Sequence, residues 1–252
     1  QQSRGKTISS PPIFNEEDSG FAQLIDSGEK IAGPFTLKEG KIFNSKNQTT
    51  SLENTLSLST NNPVNLPNNA DFVKFKSGEV WFCTISGIEN QTISVQTRFA
   101  GNQTLPLSQI SILEFNKKDN SPDNGKQSGT LYRFEGEPIP GKLIWIRPKD
   151  IAIESPLGII PIPRQGVRRF VVANESLSLD QNTDEISLTD GTKILGNIMI
   201  EENGDHFSIK HPLVGNLRVP INNVHSLKRR PKNVAWLSDL RAKTYEATGP
   251  VI

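Results

Sequence analysis

The sequence predicts an all-β chain made of tandem repeats, and three observations carry that prediction. Apolar residues alternate at a period of two, as in Ile151-Ala152-Ile153-Glu154-Ser155, which is the pattern of a strand with one buried face. No stretch carries the apolar stripe of a helix of three turns. Glycines recur at a long and nearly constant interval, which indicates one structural unit used several times.

The glycines keep a common register. Gly28, Gly78, Gly136 and Gly191 are separated by 50, 58 and 55 residues, respectively. Five residues after these glycines stand Gly33, Cys83, Gly141 and Gly196. We expect the second set to occupy a small, buried position where a strand bends or another backbone approaches closely.

A step of an apolar residue and proline recurs later in each clear repeat. It occurs at Leu105-Pro106, Ile162-Pro163 and Val219-Pro220, with successive prolines 57 residues apart, and Ile110, Val167 and Val224 follow four residues after the prolines. Leu52 and Leu56 keep the four-residue spacing in the first unit without the proline. The first unit is therefore interpreted as a degenerate copy.

This register divides the chain into six predicted segments. Residues 1–20 form a polar, flexible tail, and residues 231–252 form a leader to a further domain. The repeats between them are residues 21–61, 70–116, 129–173 and 184–230, here called repeats 1 to 4. Polar stretches rich in Asn, Asp, Ser and Gly separate the repeats and are interpreted as linkers.

Repeat 4 shows the predicted strand order most clearly. Asp190-Gly191 supplies the positive backbone angle that a hairpin turn requires, and Pro220 begins a short turn before the last strand. The five predicted strands are residues 186–188, 194–200, 207–209, 215–219 and 224–227. Five short strands with one turn before the last are typical of a small SH3-like or Sm-like barrel. We therefore expect tandem five-stranded barrels, three of them clear and one degenerate.

The closing part of the repeat carries a resemblance to a known family. A Pro-Leu-x-Gly pattern with a final apolar-Pro step stands at residues 211–220, and residues 155–163 have Pro-Leu-Gly with the same final step. Together with the Asp-Gly turn, this pattern resembles a tandem module of bacterial secreted multidomain proteins, which often precedes a carbohydrate-binding domain of the NPCBM type. The resemblance covers residues 21–248, and residues 234–240 look like the leader to that domain. It implies that the sugar-binding domain would begin after Ile252, so the resemblance describes a fold rather than an activity.

The composition disfavours several classes of protein. A net charge of +1 with 22% charged residues argues against a dedicated nucleic-acid binder, because such proteins show a basic excess. Cys83 is the only cysteine, so no intrachain disulfide can form. No apolar run is long enough to span a bilayer. The chain begins with Gln1, as a mature segment does after removal of a signal peptide, although a trimmed chain would look the same. We expect an extracytoplasmic location.

The motifs predict no active site, cofactor or metal centre. Residues 136–143 nearly match a phosphate-binding loop, but Leu143 stands where Ser or Thr is needed for magnesium. His206 and His211 beside Asp205 suggest zinc ligands, yet their spacing of five does not place both on one face of a strand. His225 lies in a different predicted strand. No Ser lies in the Gly-x-Ser-x-Gly turn of a hydrolase nucleophile.

Basic and aromatic residues are the candidate partner contacts. The basic clusters are Arg164, Arg168 and Arg169 in repeat 3, and Lys228, Arg229, Arg230 and Lys232 at the end of repeat 4. RNA readout would also need stacking aromatics at outward strand positions, and none recurs there, so a solvated face or a contact with the next domain is preferred. Trp81 and Trp236 are candidate sugar platforms because an exposed indole stacks on a pyranose. The apolar run around Trp145 indicates core, or packing between barrels.

The sequence thus predicts a non-enzymatic scaffold or interaction protein outside the cytoplasm. Its barrels would space or present a partner domain, and the expected partner is a protein or the downstream domain. The first alternative is binding of carbohydrate or cell-envelope polysaccharide through exposed aromatics and loop Asn and Gln groups. The second alternative is RNA binding through Sm-like barrels.

Overall fold

The computed structural model is all-β and describes residues 20–230, apart from residues 26, 28, 34, 39–40, 45–47, 61, 116–126, 174–182 and 202–205. The described residues form 22 strands and four 3₁₀ helices of three residues each. None of these helices has the length and apolar character needed to cross a membrane. The predicted tail before Gly20 and the leader after Arg230 lie outside the described residues.

Each repeat follows one strand plan, with a 3₁₀ helix before the last strand. Repeat 1 contains β1 (Phe21–Leu24), β2 (Lys30–Ala32), β3 (Phe35–Lys38), β4 (Lys41–Asn44), β5 (Thr49–Ser51), η1 (Leu52–Asn54) and β6 (Thr55–Ser59). Repeat 2 contains β7 (Asp71–Phe75), β8 (Val80–Glu89), β9 (Thr92–Thr97), β10 (Gly101–Pro106), η2 (Leu107–Gln109) and β11 (Ile110–Glu114). Repeat 3 contains β12 (Thr130–Arg133), β13 (Ile139–Pro140), β14 (Lys142–Ile146), β15 (Asp150–Ser155), β16 (Gly158–Pro163), η3 (Arg164–Gly166) and β17 (Val167–Val171). Repeat 4 contains β18 (Asp184–Leu188), β19 (Lys193–Ile200), β20 (His206–His211), β21 (Gly215–Pro220), η4 (Ile221–Asn223) and β22 (Val224–Lys228).

The strands of repeat 2 are hydrogen-bonded in the order β10-β9-β8-β7-β11, and repeat 4 has the same order. In repeats 1 and 3 the long second strand is divided, into β2 and β3 or into β13 and β14. The outer halves then form separate three-stranded sheets, β3-β4-β5 and β14-β15-β16. Residues at the same register position in different repeats are called equivalent below.

The repeats join edge to edge in an order that differs from their order in the chain. The last strands pair antiparallel, β11 with β17 and β22 with β6, so repeat 2 joins repeat 3 and repeat 4 joins repeat 1. A single residue pair between β8 and β19 then links the two halves. The result is a 16-stranded sheet in which the repeats follow the order 3-2-4-1.

The predicted barrels are not closed in the described residues, where the pairing continues from repeat to repeat instead. The last strand of each repeat is bonded on one side to the first strand of its own repeat. Its other edge pairs with the last strand of a neighbouring repeat, so it does not close onto the fourth strand of its own repeat. The fold class is therefore all-β, with open sheets.

The recurring small residues stand where the second strand changes its pairing partner or is divided. Gly196 pairs with Asp184 of β18, whereas Asn197 pairs with Lys210 of β20. A Cβ atom on Gly141 would lie 2.4 Å from the carbonyl oxygen of Glu154. A Cβ atom on Gly196 would lie 2.6 Å from the Ile209 side chain and 2.9 Å from the Lys210 carbonyl oxygen. Both glycines are explained by close backbone approach, including the one in the near-match to a phosphate-binding loop.

The apolar-Pro step begins the 3₁₀ helix, and it corrects the register of repeat 1. Pro106, Pro163 and Pro220 are the residues that precede the three helices η2, η3 and η4. In repeat 1 that position is held by Ser51, whose hydroxyl accepts the N–H of Asn54. Thr55, rather than Leu56, is thus equivalent to the residues four positions after the prolines. A serine side chain can cap the turn that proline otherwise favours. Repeat 1 therefore lacks the apolar-Pro step by which the other repeats are recognised.

Candidate functional site

Repeats 2 and 4 meet at a buried polar contact, here called the 2–4 interface. Val80 of β8 pairs with Lys193 of β19 at its centre. Beside this pair, Glu79 Oε1 accepts the backbone N–H of Leu195 at 2.8 Å, across 116 residues of chain. Glu79 is 3% exposed and Leu195 is 6% exposed, so the hydrogen bond is shielded from water.

A second hydrogen bond repeats this contact in the opposite direction. Thr192 Oγ1 accepts the backbone N–H of Phe82 at 3.1 Å. Glu79 and Thr192 each follow the turn glycine of their repeat, and Phe82 and Leu195 each lie three residues later. The two hydrogen bonds are therefore related by a local twofold, which the shared repeat structure makes possible.

His211 of repeat 4 completes the 2–4 interface. Its Nε2 lies 3.0 Å from Glu79 Oε1, and its Nδ1 accepts the N–H groups of Leu213 and Val214 at 3.1 and 3.3 Å. This pattern places the proton on Nε2 of a neutral imidazole that donates to the carboxylate. Ser77 donates its hydroxyl to the other oxygen of Glu79 at 2.8 Å. Both ring nitrogens of His211 are thus engaged, which leaves no lone pair for the metal ion considered from the sequence.

Trp81 packs into the same interface and is not a sugar platform. Its side chain is 0% exposed, and its ring lies 5.0 Å from Phe75, 5.2 Å from Phe99 and 5.2 Å from His211. The candidate contact role of Trp81 is therefore wrong, because a buried indole offers no face to a ligand. Within the described residues its Nε1–H has no hydrogen-bond partner.

An open cleft of about 580 Å³ lies where three repeats and a linker converge. Its lining comes from the segment before β7, from β8 and β9 of repeat 2, from two residues of repeat 3 and from Asp190 of repeat 4. Ligand clefts commonly occupy such junctions between structural units.

The sequence candidate Arg164 lies in this cleft and is held by a buried carboxylate. Its guanidinium donates to Asp71 Oδ2, and its Cζ lies 5.4 Å from the centre of the Phe115 ring. Asp71 Oδ2 also accepts the N–H of Ile85 at 3.0 Å. The side chains of Arg164 and Asp71 are 13% and 6% exposed, so this pair joins repeats 2 and 3 rather than forming a solvated charge.

Cys83 lines the inner wall of the cleft as a protonated thiol. Burial, and secondarily the Asp71 carboxylate, raises the pKa of Cys83 from 9.0 to about 12. The thiolate form needed for nucleophilic attack is therefore scarce near neutral pH. The residue is 8% exposed, which confirms the predicted small buried position.

The outer wall of the cleft is polar, exposed and close to neutral. Thr84 of β8, Gln96 of β9 and Arg98 in the turn after β9 line it, together with Asn68 and Asn69 from the segment before β7. Together these side chains offer hydrogen-bond donors and acceptors with a single guanidinium charge. Such a surface matches a polar, uncharged ligand better than a polyanion.

The other basic residues of repeat 3 are packed against repeat 2. Arg169 Nε and Nη2 donate to Glu114 Oε2 at 2.8 and 2.6 Å, across the β17–β11 pairing. Arg169 is 6% exposed and Glu114 is 5% exposed, so the candidate contact role of Arg169 is wrong. Arg168 is half-buried, and its carbonyl oxygen accepts the N–H of Phe115 at 2.8 Å. The Arg169 side chain and the Arg168 backbone therefore join repeats 3 and 2.

The basic run at the end of repeat 4 is likewise engaged within the chain. Arg230 is 7% exposed, and its N–H donates to Asp184 Oδ1 at 2.9 Å. Arg229 lies 2.9 Å from Asp184 Oδ2 and donates to the Leu52 carbonyl oxygen of repeat 1 at 3.1 Å. Lys228 is half-buried in β22. Arg229 thus connects repeats 4 and 1, while the Arg230 backbone is bonded within repeat 4.

The remaining candidates divide between the described residues and those outside them. Lys232 and Trp236 lie outside the described residues, so their proposed contacts stay predictions. Trp145 is half-buried rather than core, and its Nε1–H donates to Asp150 Oδ1. The guanidinium of Arg147 lies 4.4 Å from the centre of the Trp145 ring. The indole face is therefore already covered on one side.

The sequence analysis did not identify the carboxylates that join the repeats. Asp71, one of them, could have been found, because an aspartate recurs at its register position. Asp71 and Asp184 both stand seven residues before the turn glycine of their repeat. Each accepts a backbone N–H fourteen residues later, from Ile85 at 3.0 Å and from Ile198 at 3.4 Å. An aspartate that recurs at one register position predicts a structural hydrogen bond to the second strand. Glu79 has acidic equivalents in Glu29 and Glu137, but both are exposed, so the recurrence of this glutamate does not predict which copy is buried between repeats.

The comparisons with known proteins give no family for this arrangement. No protein-family model matches the chain, and no curated protein is significantly similar to it.

Proposed function

We propose that this chain is a non-enzymatic scaffold outside the cytoplasm, built of tandem units related to small SH3-like or Sm-like barrels. Its role is to hold partner domains or proteins at a fixed spacing. The supporting observation is the set of buried or half-buried polar contacts that join every repeat to its neighbour in the sheet. They are Glu79 with Leu195 between repeats 2 and 4, Arg169 with Glu114 between 3 and 2, and Arg229 with Leu52 between 4 and 1.

These contacts support a scaffold because they restrict the relative orientation of the units. A linker alone would leave neighbouring domains free to rotate. Hydrogen bonds to charged groups are directional, and separating the repeats would remove these partners from the buried side chains of Glu79, Glu114 and Arg169. The strand pairs β11–β17 and β22–β6 add backbone hydrogen bonds to the same boundaries. A rigid array with separated outer surfaces is suited to presenting partners.

Distance measurements between spin labels test this proposal. Cysteines replacing Glu53 of repeat 1 and Glu154 of repeat 3 would carry labels at exposed positions. Cys83 needs no substitution, because burial and its raised pKa protect it from labelling. Diluting the labelled protein into unlabelled protein removes distances between molecules. The label pair Lys149→Cys/Glu154→Cys, at exposed positions within repeat 3, sets the width that label motion alone produces.

The scaffold predicts one narrow distance distribution between repeats 1 and 3, close in width to that of the control pair. A broad distribution, or several populations, would show that the units move independently and would contradict the proposal.

The cleft favours a second candidate function, the binding of a neutral saccharide. Sugar hydroxyls both donate and accept hydrogen bonds, and Gln96, Asn69 and Thr84 can serve both roles on the exposed wall. Titration of neutral oligosaccharides, followed by protein NMR, would test this function. Binding that the Gln96→Ala substitution weakens would support it. A panel of sugars that leaves the spectrum unchanged at millimolar concentration would contradict it.

A further inference from the structure

The 2–4 interface uses the same parts of both repeats, which are the turn after the first strand and the start of the second strand. In repeat 2 these parts include Glu79 and Trp81, and in repeat 4 they include Thr192 and Ile194, all of them buried. The twofold arrangement means that one surface of the repeat plan binds its own equivalent. The same surface exists in repeats 1 and 3, which lie at the two ends of the sheet.

The equivalent surface of repeat 3 is exposed and partly apolar. Glu137 and Ile139 are equivalent to Glu79 and Trp81 by their distance from the turn glycine. Glu137 is exposed and Ile139 is half-buried, on the edge strand β13. Nearby, Phe134 in the same turn is 45% exposed.

A hairpin tip extends this apolar surface. Gly141, which directly follows β13, lies against Ile153 and Glu154 near the end of β15. The tip that follows β15 carries Leu157, which is 93% exposed, and Ile159 in β16 is 53% exposed. Exposed apolar side chains grouped at one end of a molecule mark an interaction surface. We call Phe134, Glu137, Ile139 and Leu157 the repeat 3 end.

The opposite end of the sheet is formed by β2 of repeat 1. Lys30 is equivalent to Val80 and Lys193, the central pair of the 2–4 interface. Ala32 is equivalent to Phe82, whose N–H donates across that interface. We call Glu29, Lys30 and the backbone of β2 the repeat 1 end.

We propose that the repeat 3 end of one copy docks on the repeat 1 end of a second copy, in the arrangement that joins repeats 2 and 4 but with one of its two reciprocal hydrogen bonds. The inference rests on the proposed scaffold function and names the partner as this chain itself. Continuity with the internal interface is the first argument, because the contact continues the sheet order 3-2-4-1 from one molecule into the next.

Charge complementarity and hydrogen-bonding capacity select this head-to-tail pairing. Two repeat 3 ends would bring Glu137 towards its own copy, and Pro138 and Pro140 offer no N–H to accept. Two repeat 1 ends would place Lys30 against Lys30. The mixed pair brings Glu137 near Lys30, and the backbone N–H groups of β2 allow Glu137 to accept as Glu79 does. The reciprocal hydrogen bond is missing, because Pro140 offers no N–H to Glu29, so the mixed pair keeps one of the two hydrogen bonds. A head-to-tail contact forms rings or filaments, depending on whether the rotation closes.

Sedimentation velocity of the whole chain tests the inference over about 5 to 500 µM, a range that covers weak interfaces. The wild-type chain is expected to gain mass with concentration. Leu157→Asp places a charge in the contact and is expected to raise the apparent dissociation constant at least about tenfold. Met199→Asp is the control, because Met199 is also exposed, at 57%, but lies in repeat 4 away from both ends.

A mixing experiment determines which surfaces meet. Leu157→Asp weakens the repeat 3 end and Lys30→Glu removes the cation of the repeat 1 end, so each variant alone is expected to be monomeric at concentrations where the wild type associates. Their mixture is expected to form 1:1 dimers, because each variant retains the end that the other lacks. A wild-type chain that is monomeric at the highest concentration would overturn the inference, as would a Lys30→Glu variant that associates like the wild type. The spin-label distances within one molecule test the scaffold function, and their result does not depend on whether two copies associate.

Discussion

Glu79 of repeat 2 and His211 of repeat 4 are joined by a buried hydrogen bond of 3.0 Å between Oε1 and Nε2. The two residues are 132 positions apart in the chain, and both are nearly inaccessible to water. The same carboxylate oxygen accepts the N–H of Leu195. One side chain therefore satisfies two donors of the neighbouring repeat, and it is the centre of the contact between the two halves of the sheet.

Replacing Glu79 by alanine is expected to lower the free energy of unfolding by about 2–5 kcal/mol, because two buried donors lose their acceptor. Urea denaturation followed by circular dichroism measures the change. Glu137→Ala is the matched control at the equivalent position of repeat 3. Because Glu137 is exposed, its replacement is expected to change the stability by less than about 0.5 kcal/mol. Equal losses of unfolding free energy in the two variants would contradict this, because they would not depend on the buried contact that only Glu79 makes.

The pair of Arg169 and Glu114 is expected to show strong coupling between repeats 3 and 2. Arg169→Met leaves the carboxylate buried without this cation, which costs about 3–5 kcal/mol. Glu114→Leu combined with Arg169→Met removes both charges and is expected to recover most of that loss, since an apolar pair of similar volume can replace a buried ion pair. A double-mutant cycle of unfolding free energies measures the coupling. Additive losses in the double variant would contradict the buried pair.

Trp81 is expected to tolerate phenylalanine far better than alanine. Trp81→Ala removes contacts with Phe75 and Phe99 and is expected to cost about 3–5 kcal/mol. Trp81→Phe keeps an aromatic ring and removes an indole N–H that has no partner among the described residues, so the loss is expected to stay near about 1 kcal/mol. Chemical denaturation of both variants checks this difference. A phenylalanine variant as unstable as the alanine variant would mean that the N–H is hydrogen-bonded.

Cys83 is expected to make the protein less stable at high pH. Its pKa is raised to about 12 in the folded state, above its ordinary value of 9.0, because burial disfavours the thiolate. The stabilising contribution of the neutral thiol is complete below pH 9 and is lost as the pH rises towards 12. Between pH 7 and pH 10.5 the wild type is expected to lose about 2 kcal/mol more than Cys83→Ala. Identical pH dependence of the two unfolding free energies would contradict this environment for the thiol.

The recurring register predicted the features of the fold that depend only on residues within one repeat. Gly141 and Gly196 mark the place where the second strand is divided or changes its pairing partner, and Pro106 and its equivalents begin the 3₁₀ helix, because local backbone geometry allows few residue types there. In repeat 1 the start of the 3₁₀ helix could not be recognised from the sequence, because Ser51 stands where the other repeats have proline and caps the helix through its hydroxyl.

The pairing of the repeats could not be predicted, because equivalent strands carry equivalent patterns. Any last strand has the apolar alternation needed to pair with any other. The repeat period of the sequence therefore contains no information about the order 3-2-4-1. Arg169 was interpreted as part of a charged face because its carboxylate lies 55 residues away in the chain. Glu79 looks like an ordinary polar turn residue for the same reason. Contacts between repeats depend on pairs of distant residues, and a single sequence does not show which pairs meet.

Differential scanning calorimetry tests most directly whether the four repeats form one mechanical unit. In the wild-type chain the buried contacts are expected to produce one cooperative transition, with calorimetric and van't Hoff enthalpies that agree. In Glu79→Ala the weakened 2–4 interface is expected to separate the transition into two, one for repeats 3 and 2 and one for repeats 4 and 1. A wild-type chain that already unfolds in several independent steps would contradict the scaffold.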